Sequence, residues 1–200
     1  MIKNDKNVGF GVAHNIAIKL GKGKYHLVLN PDIIFTENSI EKLLNFMKKN
    51  PDVGLISPKI VSLDGTIQYL CKRCPCVFDL CIRRFTPKFI QNLFKNRIEY
   101  FEMKETGYNK IMDVCYLSGS FMLFRKSVLE KIGGFDENIF MYFEDADITR
   151  RIGEISRTVF YPHTRVIHLW ERGSHKNIKY FIIVIVSAIK YFNKWGWKIY

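Results

Sequence analysis

Four short stretches carry side chains whose types and spacing suit chemistry. Leu29-Asn30-Pro31-Asp32 sets a carboxylate directly after the apolar run Tyr25–Leu29. An acid at the carboxyl end of a buried strand lies on the sheet edge where α/β proteins hold ligands, and a hard oxygen there suits Mg2+ or Mn2+ facing a diphosphate. The same Asn-Pro-Asp is also ordinary turn chemistry. The second stretch runs from Gly133-Gly134-Phe135-Asp136-Glu137 to Phe140-Met141-Tyr142-Phe143-Glu144-Asp145-Ala146-Asp147, with Arg150-Arg151 behind it: five carboxylates within twelve residues, set among aromatics. Apolar neighbours lift a carboxyl pKa towards the range of a general base. An acidic helix start with an Asp147–Arg151 pair accounts for the charges equally, though not for the aromatic run before them.

The third stretch, Val166-Ile167-His168-Leu169-Trp170 with Arg172-Gly173-Ser174-His175 after it, ends an apolar strand on an imidazole. His168 is a metal ligand if Asp32 is its neighbour and an edge residue otherwise. The fourth, Asn7-Val8-Gly9-Phe10-Gly11-Val12-Ala13-His14-Asn15, puts glycines at the mouth of a helix, where backbone comes close to a phosphate or base; it falls short of a dinucleotide fingerprint.

The elements that must position these residues alternate between helix and strand. Residues 9–21 suit a helix with Ala13, Ala17 and Leu20 at helical spacing and Gly21 as its stop. Ile40, Leu43, Leu44 and Met47 fall at i, i+3, i+4 and i+7, an amphipathic helix closed by Asn50-Pro51. Val53–Val61 reads as a strand pair or a strand bent at Pro58, and Asp64-Gly65 as a turn. A strand broken at Ser118-Gly119 covers Val114–Phe124, a short helix covers Lys126–Ile132, another Glu144–Ile152, and an extended segment interrupted at Pro162 covers Thr158–Leu169. Residues 71–110 show no clean period and read as a variable insertion with one helix near 87–97. Strands alternating with helices predict an α/β nucleotide-binding fold.

The chain has 200 residues, of which 48% are hydrophobic, enough apolar surface to exclude intrinsic disorder. Its 31 Lys and Arg against 19 Asp and Glu give a net charge of +12, which predicts an anionic partner without choosing among nucleic acid, nucleotide diphosphate and membrane. The basic residues are spread along the chain with no nucleic-acid motif, which disfavours the first. The apolar run Tyr180–Ala188 is too short to cross a bilayer and no export signal is expected at the start, so the five cysteines predict reduced thiols in the cytoplasm. Cys71, Cys74, Cys76 and Cys81 lack the spacing of zinc knuckles and read as free thiols in the insertion.

In this order and spacing, NVGFGVAHN, YHLVLNPD, the Asp64-Gly65 turn, LSGSFMLFRKSVLEKIGGFDENIFMYFEDADITRR and VIHLWERGSHK resemble a family 2 glycosyltransferase of the rhamnosyltransferase-like kind. The resemblance runs from Asn7 to about Gly196, apart from 71–110, and implies a GT-A fold, a Rossmann-like mixed sheet flanked by helices. It implies that Asp32 binds metal (Mg2+ or Mn2+) and the donor diphosphate, with His168 completing the metal site and Asn30 standing at the first acid of the family's metal motif. Asp145 falls at the general base, Glu144 and Asp147 at residues orienting the acceptor or the base. Gly9, Gly11 and Asn15 would line the nucleotide pocket and Gly119 would give backbone access to the donor.

The activity implied is inverting transfer of rhamnose or a similar sugar from a dTDP- or UDP-sugar to a glycan or polyprenyl-linked acceptor, in cell-surface polysaccharide synthesis. Relatives open with a strand–helix–strand unit that this chain lacks, so residues 1–175 read as a partial catalytic domain. A truncated remnant that only binds a glycan or a partner is the alternative. Residues 176–200 read as an apolar helix that packs on the core or touches the inner face of the membrane.

Overall fold

The computed structural model describes residues 3–169 and 178–200. Strand β1 (Tyr25–Leu29) sends Val28 into one core and Tyr25, Leu27 and Leu29 into another. Covered on both faces, it has an almost continuous apolar run, stopped by Asn30-Pro31-Asp32. Helix α1 (Phe10–Leu20) precedes it; β2 (Ile33–Phe35) and α2 (Ser39–Lys49) follow. Leu43 and Met47 of α2 are fully buried on the sheet, where truncating either to alanine costs about 2–5 kcal/mol.

Next come β3 (Val53–Val61), β4 (Cys71–Lys72), α3 (Val77–Phe85), α4 (Lys88–Leu93), α5 (Lys95–Phe101) and a 3-10 turn at Lys104–Thr106. The chain ends with β5 (Met112–Asp113), β6 (Tyr116–Leu117), β7 (Phe121–Arg125), α6 (Lys126–Lys131), α7 (Glu144–Gly153), β8 (Arg157–His168) and α8 (Ile178–Trp195). Among the described residues the main sheet runs β1-β7-β3-β8-β2, with β5 also on β8; β3 and β8 are parallel and the other pairs antiparallel. A second sheet pairs β4 with β6.

Several sequence expectations need correcting. Val53–Val61 is one strand. Its partner β8 runs on to His168, with the ladder irregular where the sequence places the interruption: Pro58 pairs with Tyr161 and Lys59 with Arg165, so Pro162, His163 and Thr164 bulge out of register. In α1 the buried face is Gly11, Asn15 and Ile18, while Leu20 is exposed. Small and polar residues form that face, so hydrophobic spacing could not find it.

The insertion is more ordered than its sequence suggests. The single helix near 87–97 is two, α4 and α5, broken at Phe94, and α3 precedes them. Each has nine residues or fewer, shorter than the window in which a helical period stands out. Its cysteines have separate fates. Cys74 is disulfide-bonded to Cys115, with Cα atoms 5.3 Å apart, which overturns the expectation of free thiols there. Cys71 is buried, Cys76 accepts from the Asp79 N–H at the start of α3, and Cys81 is exposed.

One face of α8 packs on α7, with Ala188, Tyr191 and Phe192 against Ala146 and Phe143. Its other face leaves Ile178, Ile182, Val186 and Ile189 exposed. No helix among the described residues is long and apolar enough to cross a membrane.

Candidate active site

Tyr142 and Phe143, just before α7, both have positive φ, 67° and 66°. Non-glycine residues in that region are strained by about 1–3 kcal/mol each. The turn they form starts α7 so that Glu144 is buried and Asp145 lines a cavity of about 250 Å³, together with Lys72, Arg83, Tyr116 and Tyr142. Two backbone donors hold the Asp145 carboxylate: Gly119 N–H to Oδ2 at 3.0 Å and Ala146 N–H to Oδ1 at 2.9 Å. Burial, and then the charge of Asp145, push the Glu144 carboxyl up to about 8. Its Oε2 is buried without a hydrogen-bond partner among the described residues. Burial and the charges of Asp145 and Glu144 hold the Tyr116 phenol well above its ordinary range.

The strand-end acid and the histidine do meet. Ile33 pairs with His168 across β2 and β8, and Leu169 N–H donates to the Asp32 carbonyl at 3.0 Å. His168 Nε2 lies 3.3 Å from Asp32 Oδ2. Gln68 Oε1 sits 2.9 Å from His168 Nδ1, and Gln68 Nε2 donates to the His168 carbonyl. With Nδ1–H donated to Gln68, the Nε2 lone pair points at the carboxylate, the arrangement that orients an imidazole for a metal. Burial lowers the His168 pKa while Asp32 opposes the shift.

Asp32 Oδ1 is buried without a hydrogen-bond partner among the described residues, an acceptor of the kind a cation would use. Among the described residues no third His, Cys, Asp or Glu joins the pair. Mg2+ and Mn2+ accept one or two protein ligands when a diphosphate supplies the rest, and the donor set fits such an ion. A short bridge links this edge to α7: Asn30 N–H donates to Ser120 O at 3.0 Å, and Gly119, next in the chain, holds Asp145.

Other predicted residues lie elsewhere. Asn15 is buried and reads the 134–137 turn: its Nδ2 donates to Phe135 O at 2.9 Å and Glu137 Oε1 at 3.0 Å, and its Oδ1 accepts from Phe135 N–H at 2.8 Å. A Cβ on Gly9 would strike Phe140, one on Gly11 would press on Phe135, and one on Gly134 would strike Asn15. Gly9, Gly11 and Asn15 therefore seat α1 on the 134–140 segment, and close backbone approach there is to protein. Asp147 does not reach the cavity either. It is fully buried and accepts from Arg151 Nε at 2.8 Å and Trp195 Nε1 at 2.9 Å, with Lys194 Nζ 2.9 Å away, tying α7 to α8. Gln68, Lys72 and Tyr116 were missed because none belongs to a motif and Lys72 and Tyr116 lie on two-residue strands. Trp170 and the Arg172–His175 stretch lie outside the described residues.

Comparison with known proteins gives these residues a context. The family model described as glycosyl transferase family 2 matches residues 1–133. An N-acetylglucosaminyl-diphospho-decaprenol L-rhamnosyltransferase of Mycobacterium tuberculosis is 30% identical over 84% of this chain and 58% of its own length. The rhamnosyltransferase WbbL of Escherichia coli is 30% identical over 86% of the chain and 64% of its own. The chain thus spans about six-tenths of the length of these relatives. Among solved structures, GalNAc-T7 with UDP, GalNAc and Mn2+ aligns at a TM-score of 0.62 and 16% identity, covering 88% of this chain and 33% of that one. The mannosyltransferase PcManGT of Pyrobaculum calidifontis, with GDP-Man and Mn2+, aligns at 0.56 and 15%, covering 96% and 45%. The fold is that of the GT-A glycosyltransferases, as the motifs imply.

Proposed function

The chain belongs to glycosyltransferase family 2, and on that premise we propose that it transfers rhamnose or a related sugar from a dTDP- or UDP-linked donor to a lipid-linked glycan acceptor, with inversion, in cell-surface polysaccharide synthesis. The observation that carries this reading is the placement of Asp145, held in a cavity by the Gly119 and Ala146 N–H groups, with Ser120 beside Gly119 bonded to Asn30 of the edge that bears Asp32 and His168. The rhamnosyltransferase relatives support the sugar and the class of acceptor.

In this mechanism Asp145 accepts the proton of the acceptor hydroxyl as its oxygen attacks the anomeric carbon. The bond to the nucleoside diphosphate breaks on the opposite face, so one displacement inverts the centre and no sugar is bound to the enzyme. Glu144, neutral below about pH 8, adds no second negative charge beside the developing alkoxide. Asp32 and His168 would hold Mg2+ or Mn2+, which when bound neutralises charge on the leaving diphosphate. Asn30 and the 118–120 segment, which connect that edge to Asp145, shape the donor side. The setting is the cytoplasmic face of the membrane, where nucleotide sugars and polyprenyl acceptors meet.

The test is transfer by the purified protein from dTDP-rhamnose to a polyprenyl-diphospho-N-acetylglucosamine, with and without Mn2+, and the product's anomeric configuration by NMR. Inverted product that disappears in Asp145→Asn is expected. A retained configuration, or full turnover in the variant, would overturn the mechanism. Failure of donor plus Mn2+ to raise the melting temperature at millimolar concentration would favour a protein that only binds glycan or partner.

A further inference from the structure

The cavity in front of Asp145 is lined by groups of both signs, Glu144 and Asp145 together with Lys72, Arg83 and Arg84. Two further acids near these cations are already engaged. Asp79 takes two hydrogen bonds from Arg97, at 2.7 and 3.0 Å, and Glu102 is shared between Arg83 and Lys104, each at 3.1 Å. Lys72 Nζ lies 4.4 Å from the centre of the Tyr116 ring, and among the described residues no carboxylate is within ion-pair distance of it. Its pKa is pushed down to about 8, first by burial and then by Arg83, while Asp145 and Glu102 offset only part of the shift.

The two walls of the cavity also continue outward as apolar surface. Leu80, Arg83 and Arg84 of α3 lead to Phe85, and Val184 of α8 leads back to Phe181 and Ile182. The Phe85 and Phe181 rings touch, with centroids 5.4 Å apart. Phe85, Phe89, Ile178 and Ile182, on or next to the helices that wall the cavity, are between 44% and 71% exposed.

An acid for a hydroxyl, cations in the same cavity and apolar surface on the helices that wall it together match one kind of molecule. We propose that this cavity seats a lipid-linked diphosphate acceptor, with Lys72 and Arg83 receiving its phosphates and the apolar surface at Phe85 and Ile182 receiving the start of its lipid chain. The inference rests on the transferase reading above and adds to it the residues and the direction of acceptor entry. Lys72 and Arg83 bind the acceptor and take no part in the displacement.

The test uses Lys72→Met, which keeps the aliphatic contact with Tyr116, and Arg83→Met. With dTDP-rhamnose and polyprenyl-diphospho-N-acetylglucosamine, each raises the acceptor KM about tenfold, the size of one charge-assisted hydrogen bond, and leaves the donor KM unchanged. With an uncharged alkyl N-acetylglucosaminide, variants and wild type transfer equally. A matching rise in donor KM, an equal loss on the uncharged acceptor, or a fall in kcat without a change in acceptor KM overturns the proposal, the last assigning Lys72 to Asp145 alone.

A binding arm needs no turnover, so failure of the transferase reading leaves it decisive. Phosphatidylcholine vesicles carrying decaprenyl diphosphate should retain wild-type protein more strongly than vesicles carrying equal charge as phosphatidylglycerol, and Lys72→Met should abolish the difference. Equal retention by both vesicle types would mean attraction to bulk surface charge and would sink the proposal. Stabilisation by inorganic pyrophosphate equal to that by the lipid would overturn the lipid half of it.

Discussion

Where α1 meets the 134–140 segment, a buried amide is matched donor for acceptor and glycines stand wherever a side chain would collide. At the start of α7 the opposite holds: two residues sit at positive φ, a buried carboxyl oxygen has no partner, and a lysine amine has no counter-ion among the described residues. The 134–140 segment and the start of α7 come from the same motif, GGFDENIFMYFEDAD, to which α1 and Lys72 are brought by the fold. The first half of the motif is demanding because of packing, the second because polar groups are left ready for something else. Strict sequence requirements alone do not distinguish the two; hydrogen-bond satisfaction does.

Substitutions should separate the two regions by readout. Asp145→Asn is expected to have the largest effect, lowering turnover by about 10²–10⁴-fold while costing about 1 kcal/mol of stability, because the amide oxygen still accepts from one of the two backbone donors and only the other is lost. Turnover and thermal melting on the same preparation check both halves; a collapse in stability would erase the contrast. Asn15→Ala should do the reverse and destabilise by about 3 kcal/mol, since Phe135 loses partners for both its N–H and its carbonyl. Urea unfolding measures it.

Asp147→Asn should loosen α8 and lower stability by about 1–3 kcal/mol through lost contacts to Arg151, Trp195 and Lys194. An activity loss as deep as that of Asp145→Asn, at unchanged stability, would return Asp147 to the reacting group. The last contrast is in pH dependence. Glu144 is raised from 4.5 to about 8 in the fold, so the unfolded chain releases its proton first and stability falls as pH climbs through that interval. Glu144→Gln should flatten that part of the melting-temperature profile, and an unchanged slope would show that Glu144 is not the group responsible.

Much of the frame is legible in the residues. β1, α2, α6 and α7 each carry a period together with a stop signal, such as Asn50-Pro51 or Gly133-Gly134, and their limits match the structure closely. The α3–α5 region is not legible, because its helices are too short to repeat a pattern and are held by contacts from far away, such as those from Lys198 and Ile199 to α3. The site divides in the same way. Asp32, His168, Glu144 and Asp145 announce themselves as acids and a histidine at element ends. Which acid faces the cavity is decided by the Tyr142–Phe143 turn and by where α8 lies, facts about the assembled chain. The glycines at 9 and 11 suit a phosphate by sequence and abut Phe140 and Phe135 in the structure, because close approach by a phosphate and by protein impose the same requirement for a missing side chain.

The hydrogen bonds between Asn15 and Phe135 join residues 120 positions apart. On the ribosome α1 emerges early and has no seat until the 134–140 segment has followed it, so the first helix is among the last to settle. Closing so long a loop is slow, and an α1 waiting with its glycine-lined face uncovered makes the nascent chain a candidate for chaperone capture during that interval.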